Sequence, residues 1–464
     1  MTLVAGVDSS TQSVKVVIRE AESGALIREG RASHPDGTEV DPQKWWTALN
    51  SAIIEAGGLD DVAAISVGGQ QHGMVALDEK GDVIRPALLW NDTRSAQAAL
   101  DLNGEIGGDQ AMADATGSVL VASFTASKVR WLADAEPEFA SKVAAVALPH
   151  DWLSWKLQGA KDFGQLFTDR SDASGTGYFD PTTSTYRRDI FARAIKSDRE
   201  IYLPRIVAST DFGGETEGGV KIGAGAGDNA GAAFGVQAVA GDVIVSLGTS
   251  GTAFSVSTTP THDGSGEVAG FADVTGNYLP LVCTLNAARI LDAAARILGV
   301  DFDRLSDLAL SAPAGANGLT LLPYFEGERT PNRPTATGVF GGMNLSNSNP
   351  ENIARAMIEG MLSGLADAVE SLSSLGVSIN RIFLVGGAAK NPAVGQVASA
   401  LFGREVVIPP AGEYVADGAA RQASWALNGA LPQWDLGKVH HVQSQPTPQV
   451  LEKYRTLRDA TVNW

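Results

Sequence analysis

The sequence predicts an α/β protein of two domains with mixed sheets, and three observations carry that prediction. Short β-branched runs ("VAGVDSS", "VKVVI", "VAAISVGG", "GMVALD", then "DVIVSLGTS", "TAFSVS", "RIFLVGG", "EVVIP") alternate with longer stretches of helical periodicity, the pattern of strands and helices interleaved along one chain. One strand–turn–strand unit recurs about half a chain later. Finally, 464 residues exceed what a single hydrophobic core usually serves.

The first element is a strand that stops at an acid: "GVDSSTQSVKVVI", with Asp8 at the tip and Lys15 leading the return strand. Asp41-Pro42 caps a helix carrying Trp45, Trp46, Leu49 and Ile53 at helical spacing, because a short acceptor side chain followed by proline suits a helix start. The strand "AAISV" leads into "GGQQHGM" (Gly68 to Met74), and "LLWNDTR" (Leu88 to Arg94) ends another apolar stem in a polar cluster. "GAGAGDNAGAAFG" (Gly223 to Gly235) follows, and "FGVQAVAGD" (Phe234 to Asp242) is the natural boundary, giving domains 1–236 and 237–464. There the opening recurs: "VDSSTQSVKVVI" from Val7 aligns with "VSLGTSGTAFSV" from Val245, setting Asp8 against Ser246, Ser10 against Gly248 and Thr11 against Thr249. Asn349-Pro350 caps a long helix with Ile353, Met357, Met361, Leu365, Val369 and Leu372 on its core face, ending at Gly376. "FLVGGAAKNPAVGQVASALFG" (Phe383 to Gly403) reads as strand, Gly-Gly turn, helix.

Composition excludes several function classes. The chain is 44% hydrophobic and 19% charged, with a formal net charge of −18. That charge disfavours nonspecific binding to nucleic acid or anionic membranes, although it leaves room for a local cationic phosphate site. No apolar run approaches the roughly 18 residues of a membrane span, and the N-terminus lacks the basic, apolar and cleavage regions of a secretory signal. A single cysteine, Cys283, cannot form an intrachain disulfide and fits a reducing cytoplasm. The expectation is a cytoplasmic protein with neither nucleic-acid nor membrane partners. A homodimer is compatible with the chain but is not read from it.

Candidate chemistry lies in the turns. Small residues expose backbone N–H groups and Ser/Thr add hydroxyl donors, so two matching turns across a cleft could cradle a nucleotide's phosphates. Asp8, an acceptor when ionised, could ligate Mg²⁺ through oxygen; read alone, its turn is equally an ordinary hairpin. The Gly/Ala run presents one carboxylate, Asp228, with Asn229 beside it to orient it; the alternative is a Gly-rich linker. Gln70, Gln71 and His72 at a strand end could hydrogen-bond a polyol, or they could form a turn with a structural histidine. Gly386 and Gly387 allow close approach to an adenosine, with Asn391 available for polar contacts. Walker A, GxGxxG, HExxH and GxSxG patterns are absent.

Together, "GVDSSTQSVK", "GGQQHGM", "LLWNDTR", "TDRSDASGTGYFD" (Thr168 to Asp180), "GAGDNAGAAFG", "SLGTSGTAF", "LLPYFEGERTPNRP" (Leu321 to Pro334) and "FLVGGAAKNP" make the chain resemble the FGGY carbohydrate kinases along essentially its whole length. The resemblance implies two actin-like (ribonuclease-H-like) domains flanking a catalytic cleft. It implies ATP and Mg²⁺, with phosphorylation of D-xylulose at its 5-hydroxyl. The alternatives are ribulose, another pentulose or a polyol as acceptor, or a non-catalytic actin-like ATP-binding protein. By the resemblance Asp228 is the catalytic base, and Asp8 is an acid important for activity and the metal residue. Gln71 and His72, with Asp228, contact the ketose; Ser10, Thr11, Gly248, Thr249, Gly386, Gly387 and Asn391 contact ATP. Gln71 stands where the family usually has Met, and Ser9-Ser10-Thr11-Gln12-Ser13 replaces the commoner Leu-Gly-Thr-Ser-Gly, which the second turn retains.

Overall fold

The computed structural model describes residues 1–462, which divide into two compact units. The first comprises Met1–Ala238, Thr258–Leu279 and Gly412–Asp435; the second comprises Val239–Ser257, Pro280–Ala411 and Leu436 onward.

In the first unit, β1 (Leu3–Ser9), β2 (Ser13–Glu20) and β3 (Leu26–Ser33) form an antiparallel meander. Helix α1 (Pro42–Glu55) begins as the sequence predicts, with the Asp41 side chain accepting the Gln43 N–H at 3.0 Å. The chain then returns as β4 (Val62–Gly69), parallel to β1. Helix α2 (Pro149–Leu157) and the one-turn helix α3 (Arg170–Ala173) follow. Next come β5 (Phe212–Glu215), β6 (Lys221–Gly223), the two-residue β7 (Ala226–Gly227) and α4 (Asp228–Gly235). The sheet order is β5-β6-β4-β1-β2-β3, with β7 also pairing with β4. Both faces of β1 are buried, which explains its near-continuous apolar run. Leu3, Ala5 and Val7 point into a core with Trp45 and Leu49 of α1, and Val4 points to the other face.

The second unit repeats the plan. Strands β8 (Asp242–Leu247) and β9 (Gly251–Ser255) form an antiparallel hairpin, and β10 (Tyr278–Thr284) pairs with β9. Helix α5 (Pro350–Ser374) starts at its Asn349 cap, whose side chain accepts the Asn352 N–H at 2.9 Å. Inside α5 lies a buried pair that the apolar stripe does not reveal, with Arg355 Nε 2.6 Å from Glu359. Strand β11 (Arg381–Val385) runs parallel to β8, then α6 (Pro392–Phe402) leads to β12 (Val406–Ile408). In each unit, then, a hairpin sits beside a parallel strand. The turns differ in detail: Ser9 faces Val14 across the first, where the Ser10 N–H also donates to the Ser13 carbonyl at 3.1 Å, whereas Leu247 faces Gly251 across the second.

After β12 the chain rejoins the first unit as α7 (Tyr414–Asn428). Ala416, Ala420 and Ala423 pack under Val4, Val17 and Ala64. Helix α7 also lies against α4 at backbone distance: a β-carbon on Gly235 would strike the Tyr414 carbonyl, and one on Gly418 the Gly231 carbonyl. The small residues after Asp228 thus serve helix packing, which fixes the helix whose first residue is that aspartate. No helix among the described residues is long and apolar enough to cross a membrane.

Candidate active site

Three strands of the first unit end in step. Asp8 of β1 lies beside Gly68 of β4, which lies beside Ala226 of β7; Ser9, Gly69 and Gly227 form the next row. Strands stand about 4.8 Å apart, so β1 and β7 deliver Asp8 and Asp228 to either side of the segment Gln70-Gln71-His72.

Asp8 is 3% exposed. The Ser10 hydroxyl donates to its Oδ1 at 2.5 Å, and Lys15, its register partner on β2, places Nζ 3.4 Å from Oδ2 and 2.5 Å from Glu413. Burial raises the Asp8 carboxyl above its ordinary pKa, against the pull of Lys15. Thr11 connects the first turn to the Trp-Asn-Asp stretch, because its hydroxyl accepts the Trp90 Nε1–H at 2.9 Å. Around this turn Ser9 Oγ and Gln70 Nε2 are buried with no hydrogen-bond partner within the protein. Such groups are seldom left unpaired in a stable fold and are available to a polar ligand.

The Gln71 side chain is buried, donates to the Ser171 carbonyl at 3.2 Å, and packs against Gly227 just before Asp228. His72 has φ +70°, an unusual conformation for a residue with a side chain. Its Nδ1 donates to the Gly175 carbonyl at 2.6 Å, and its ring lies 4.9 Å from Phe124 and 5.6 Å from Phe271. That bond requires the proton on Nδ1, so Nε2 is the acceptor in a neutral ring.

Asp228 is the first residue of α4 and half-buried. Its Oδ1 accepts from the Asn229 backbone N–H at 2.7 Å and from Asn229 Nδ2 at 2.8 Å. Removal from water pushes its pKa up to about 7, and the nearby Asp8 charge adds to the rise against the Asn229 bonds. The structure therefore brings Asp8, Ser10, Thr11, Gln71, His72 and Asp228 together in one unit.

Sequence reasoning missed the residues that hold these groups. Ser171 accepts from Gln71 through its carbonyl and from the Gly227 N–H through its hydroxyl, at 3.1 Å. Gly175 holds His72. Both belong to the Thr168–Asp180 stretch, in which closely spaced Asp, Ser and Gly residues were the available signal. Beneath them His150 is fully buried, with Nδ1 2.6 Å from Asp172, 3.3 Å from Asp151, and Nε2 3.2 Å from the Ala224 carbonyl. These three side chains are close enough for a metal-ligand set. With both ring nitrogens facing acceptors, however, the imidazole is protonated and has no lone pair to offer. A cavity of 510 Å³ in the same unit, lined by Trp46, Ile53, Lys156 and Val220 among others, contains none of these groups.

In the second unit Gly248 and Thr249 form the β8–β9 turn, and the Ala288 N–H donates to the Gly248 carbonyl at 3.0 Å. Gly386, at φ +95°, lies against the Leu247 backbone, and Gly387 is open on its side-chain face. Asn391 caps α6: its Oδ1 accepts from Ala393 and Val394, and its Nδ2 donates to the Phe302 carbonyl at 3.3 Å. Its amide thus serves the fold.

Residues 3–246 match the N-terminal domain of the FGGY family of carbohydrate kinases, and residues 243–427 match its C-terminal domain. The chain is 42% identical over 441 residues to a xylulose kinase of Streptomyces coelicolor, covering 92% of this chain and 88% of that one. It is 32% identical to a xylulose kinase of Escherichia coli, covering 98% and 97%. The crystal structure of xylulose kinase from Bifidobacterium adolescentis superposes with a TM-score of 0.92 at 47% identity, covering 98% and 99%.

Proposed function

Given that the chain belongs to the FGGY family of carbohydrate kinases, we propose that it transfers the γ-phosphoryl group of ATP to the 5-hydroxyl of D-xylulose. The observation that carries the chemistry is the Asp228 carboxyl, held near pH 7 at the end of a strand beside Gln71 and His72. An unperturbed aspartate is too weak a base to help an alcohol much, whereas one whose pKa lies near the working pH has the strength and the available ionised fraction that proton transfer needs. The ketose acceptor is supported by the likeness to xylulose kinases.

The 5-hydroxyl oxygen attacks the γ-phosphorus in line, the bond to the bridging oxygen of ADP breaks, and the hydroxyl proton passes to Asp228 as the new O–P bond forms. Asn229 fixes the accepting carboxylate. His72 and Gln71 orient the ketose, and the alignment they provide accounts for much of the acceleration. Thr11 would offer donors to the phosphates, Ser10 would join them by turning its hydroxyl from Asp8, and Gly248, Thr249 and the Gly386–Gly387 turn would take the rest of the nucleotide.

The first turn also fits Mg²⁺. Its ligand atoms are oxygens, which that ion prefers, and Asp8 Oδ2 lies 3.4 Å from Lys15 Nζ, while the neighbouring Ser9 Oγ is buried with no partner within the protein. Asp8 would hold the ion, directly or through water. Bound there, the ion would neutralise charge on the phosphates. A cytoplasmic location fits this donor and the single cysteine.

ADP release measured with MgATP and a panel of D-xylulose, D-ribulose, hexuloses and polyols tests the reading. D-xylulose should give the highest kcat/KM. Preference for another acceptor would redirect the substrate, and no sugar-dependent ADP release at all would remove the kinase reading.

A further inference from the structure

His150 has no part in the reaction as described, yet it packs against both segments that carry the reacting groups, its Cβ and backbone at Gly69 and its ring at Gly225. It is the second residue of α2, and none of its side chain is exposed. Gly69, immediately before Gln70-Gln71-His72, has no room for a β-carbon because His150 Cβ would stand 2.9 Å away. At Gly225, where φ is +88°, the Cδ2–Nε2 edge of the ring fills the space a side chain would need. The polar contacts run the same way. A carbonyl oxygen only accepts, so Nε2 donates to Ala224; Nδ1 donates to the Asp172 carboxylate. A ring donating at both nitrogens is an imidazolium; Asp172 is its bonded partner and Asp151 and Asp169 lie nearby, while burial raises all three carboxyls, Asp172 to about 6 and Asp151 to about 7. Although burial works against that charged form, these carboxylates hold the His150 pKa up to about 10.

We propose that His150 is a positioning residue for the base: by tying the Ala224 carbonyl to Asp172 it fixes the segment Ala224–Gly227, which delivers Asp228. The inference rests on reading Asp228 as the general base. Asp172 is anchored independently, since its backbone N–H donates to the Asp169 carboxylate at 3.0 Å. Its neighbour Ser171 holds Gly227 and Gln71. One short helix therefore fixes the base segment at two points, at Gly227 through Ser171 and at Ala224 through His150.

The test compares His150→Leu, which removes both donors, His150→Lys, which keeps a buried cation able to donate, and Asp172→Asn, which keeps the shape. Each is made alone and in an Asp228→Asn background, with kcat, both KM values and melting temperature measured. His150→Leu and Asp172→Asn should each lower kcat about 100-fold, the scale of a misplaced reacting group, with the ATP KM within about twofold. His150→Lys should recover most of the loss. In the Asp228→Asn background the same changes should lower the residual turnover by less than about threefold, because residues that act as a unit are not additive. Equal losses in both backgrounds would overturn the proposal. So would a lowered melting temperature with unchanged turnover per folded molecule, a lysine variant no better than the leucine one, or failure of both His150→Leu and Asp172→Asn to fold. If Asp228→Asn itself keeps wild-type turnover, the base reading fails and takes this inference with it; if it collapses while the His150 and Asp172 variants stay at wild type, only this inference fails.

Discussion

The Asp8 carboxylate lies close enough to Asp228 for its charge to help raise the second acid, whose burial alone already favours the protonated form. The consequence for activity has a definite sign. A raised pKa means Asp228 keeps its proton to higher pH, so the base form grows as pH rises through about 7. The kcat/KM for sugar should increase across that range and fall about tenfold per unit on the acid side. An unshifted aspartate would give a flat profile there. Asp228→Asn should lower turnover by about two to four orders of magnitude and abolish the limb; turnover within threefold of wild type would remove Asp228 from the mechanism.

The proposed ketose contact of His72 has to be separated from its part in the scaffold. Losing its ring removes the bond to Gly175 and the packing on Phe124 and Phe271, so His72→Ala should melt at lower temperature whatever its role. The informative quantity is the split between the two KM values. One lost hydrogen bond of about 0.5–1.5 kcal/mol should raise the sugar KM several-fold and leave the ATP KM nearly unchanged. Equal rises would assign His72 to the scaffold alone.

Asp8→Ala should blunt the response to Mg²⁺. Lys15 would keep its Glu413 partner, so the hairpin should survive. The Mg²⁺ concentration needed for half-maximal turnover should rise by about 10–100-fold, the range for a disturbed metal environment. An unchanged Mg²⁺ titration would leave Asp8 as the end of a hairpin and nothing more.

The second unit offers a paired test. Gly386→Ala forces a side chain into the left-handed region and onto the Leu247 backbone, which should cost about 1–3 kcal/mol of stability. Gly387→Ala meets nothing within 4 Å and should change stability by no more than about 0.5 kcal/mol. If Gly387 faces the adenosine, its alanine variant should raise the ATP KM without a change in melting temperature. Thr249→Val should likewise reduce ATP use while leaving sugar preference alone.

Much of this was legible in the sequence, because local rules govern it. The twin hairpins follow from β-branched runs broken by small residues, and α1 and α5 start at Asp41-Pro42 and Asn349-Pro350 as the capping rule requires. The same rule applies at Asn391-Pro392, where the residue read as a nucleotide contact also caps α6. What stayed hidden depends on distant partners. Nothing near His150 signals Ala224 or Asp172, and Ser171 is one small residue among several until the fold brings it to Gly227. The buried Arg355–Glu359 pair looks like ordinary surface charge when read along the chain.

Helix α7 bears on how the protein is made. A ribosome finishes β1, β4 and α4 long before it reaches Tyr414–Asn428, yet the cluster of Val4, Val17 and Ala64 is completed by Ala416, Ala420 and Ala423 of that late helix and by Trp434. Until then the nascent first unit exposes an apolar sheet face to whatever is nearby, and its aspartate-bearing helix lacks the neighbour it packs on at backbone distance. A premature stop between Ala411 and Tyr414 would thus reach back to the beginning of the protein, leaving a chain with every proposed catalytic side chain present and the helix beneath Val4, Val17 and Ala64 missing.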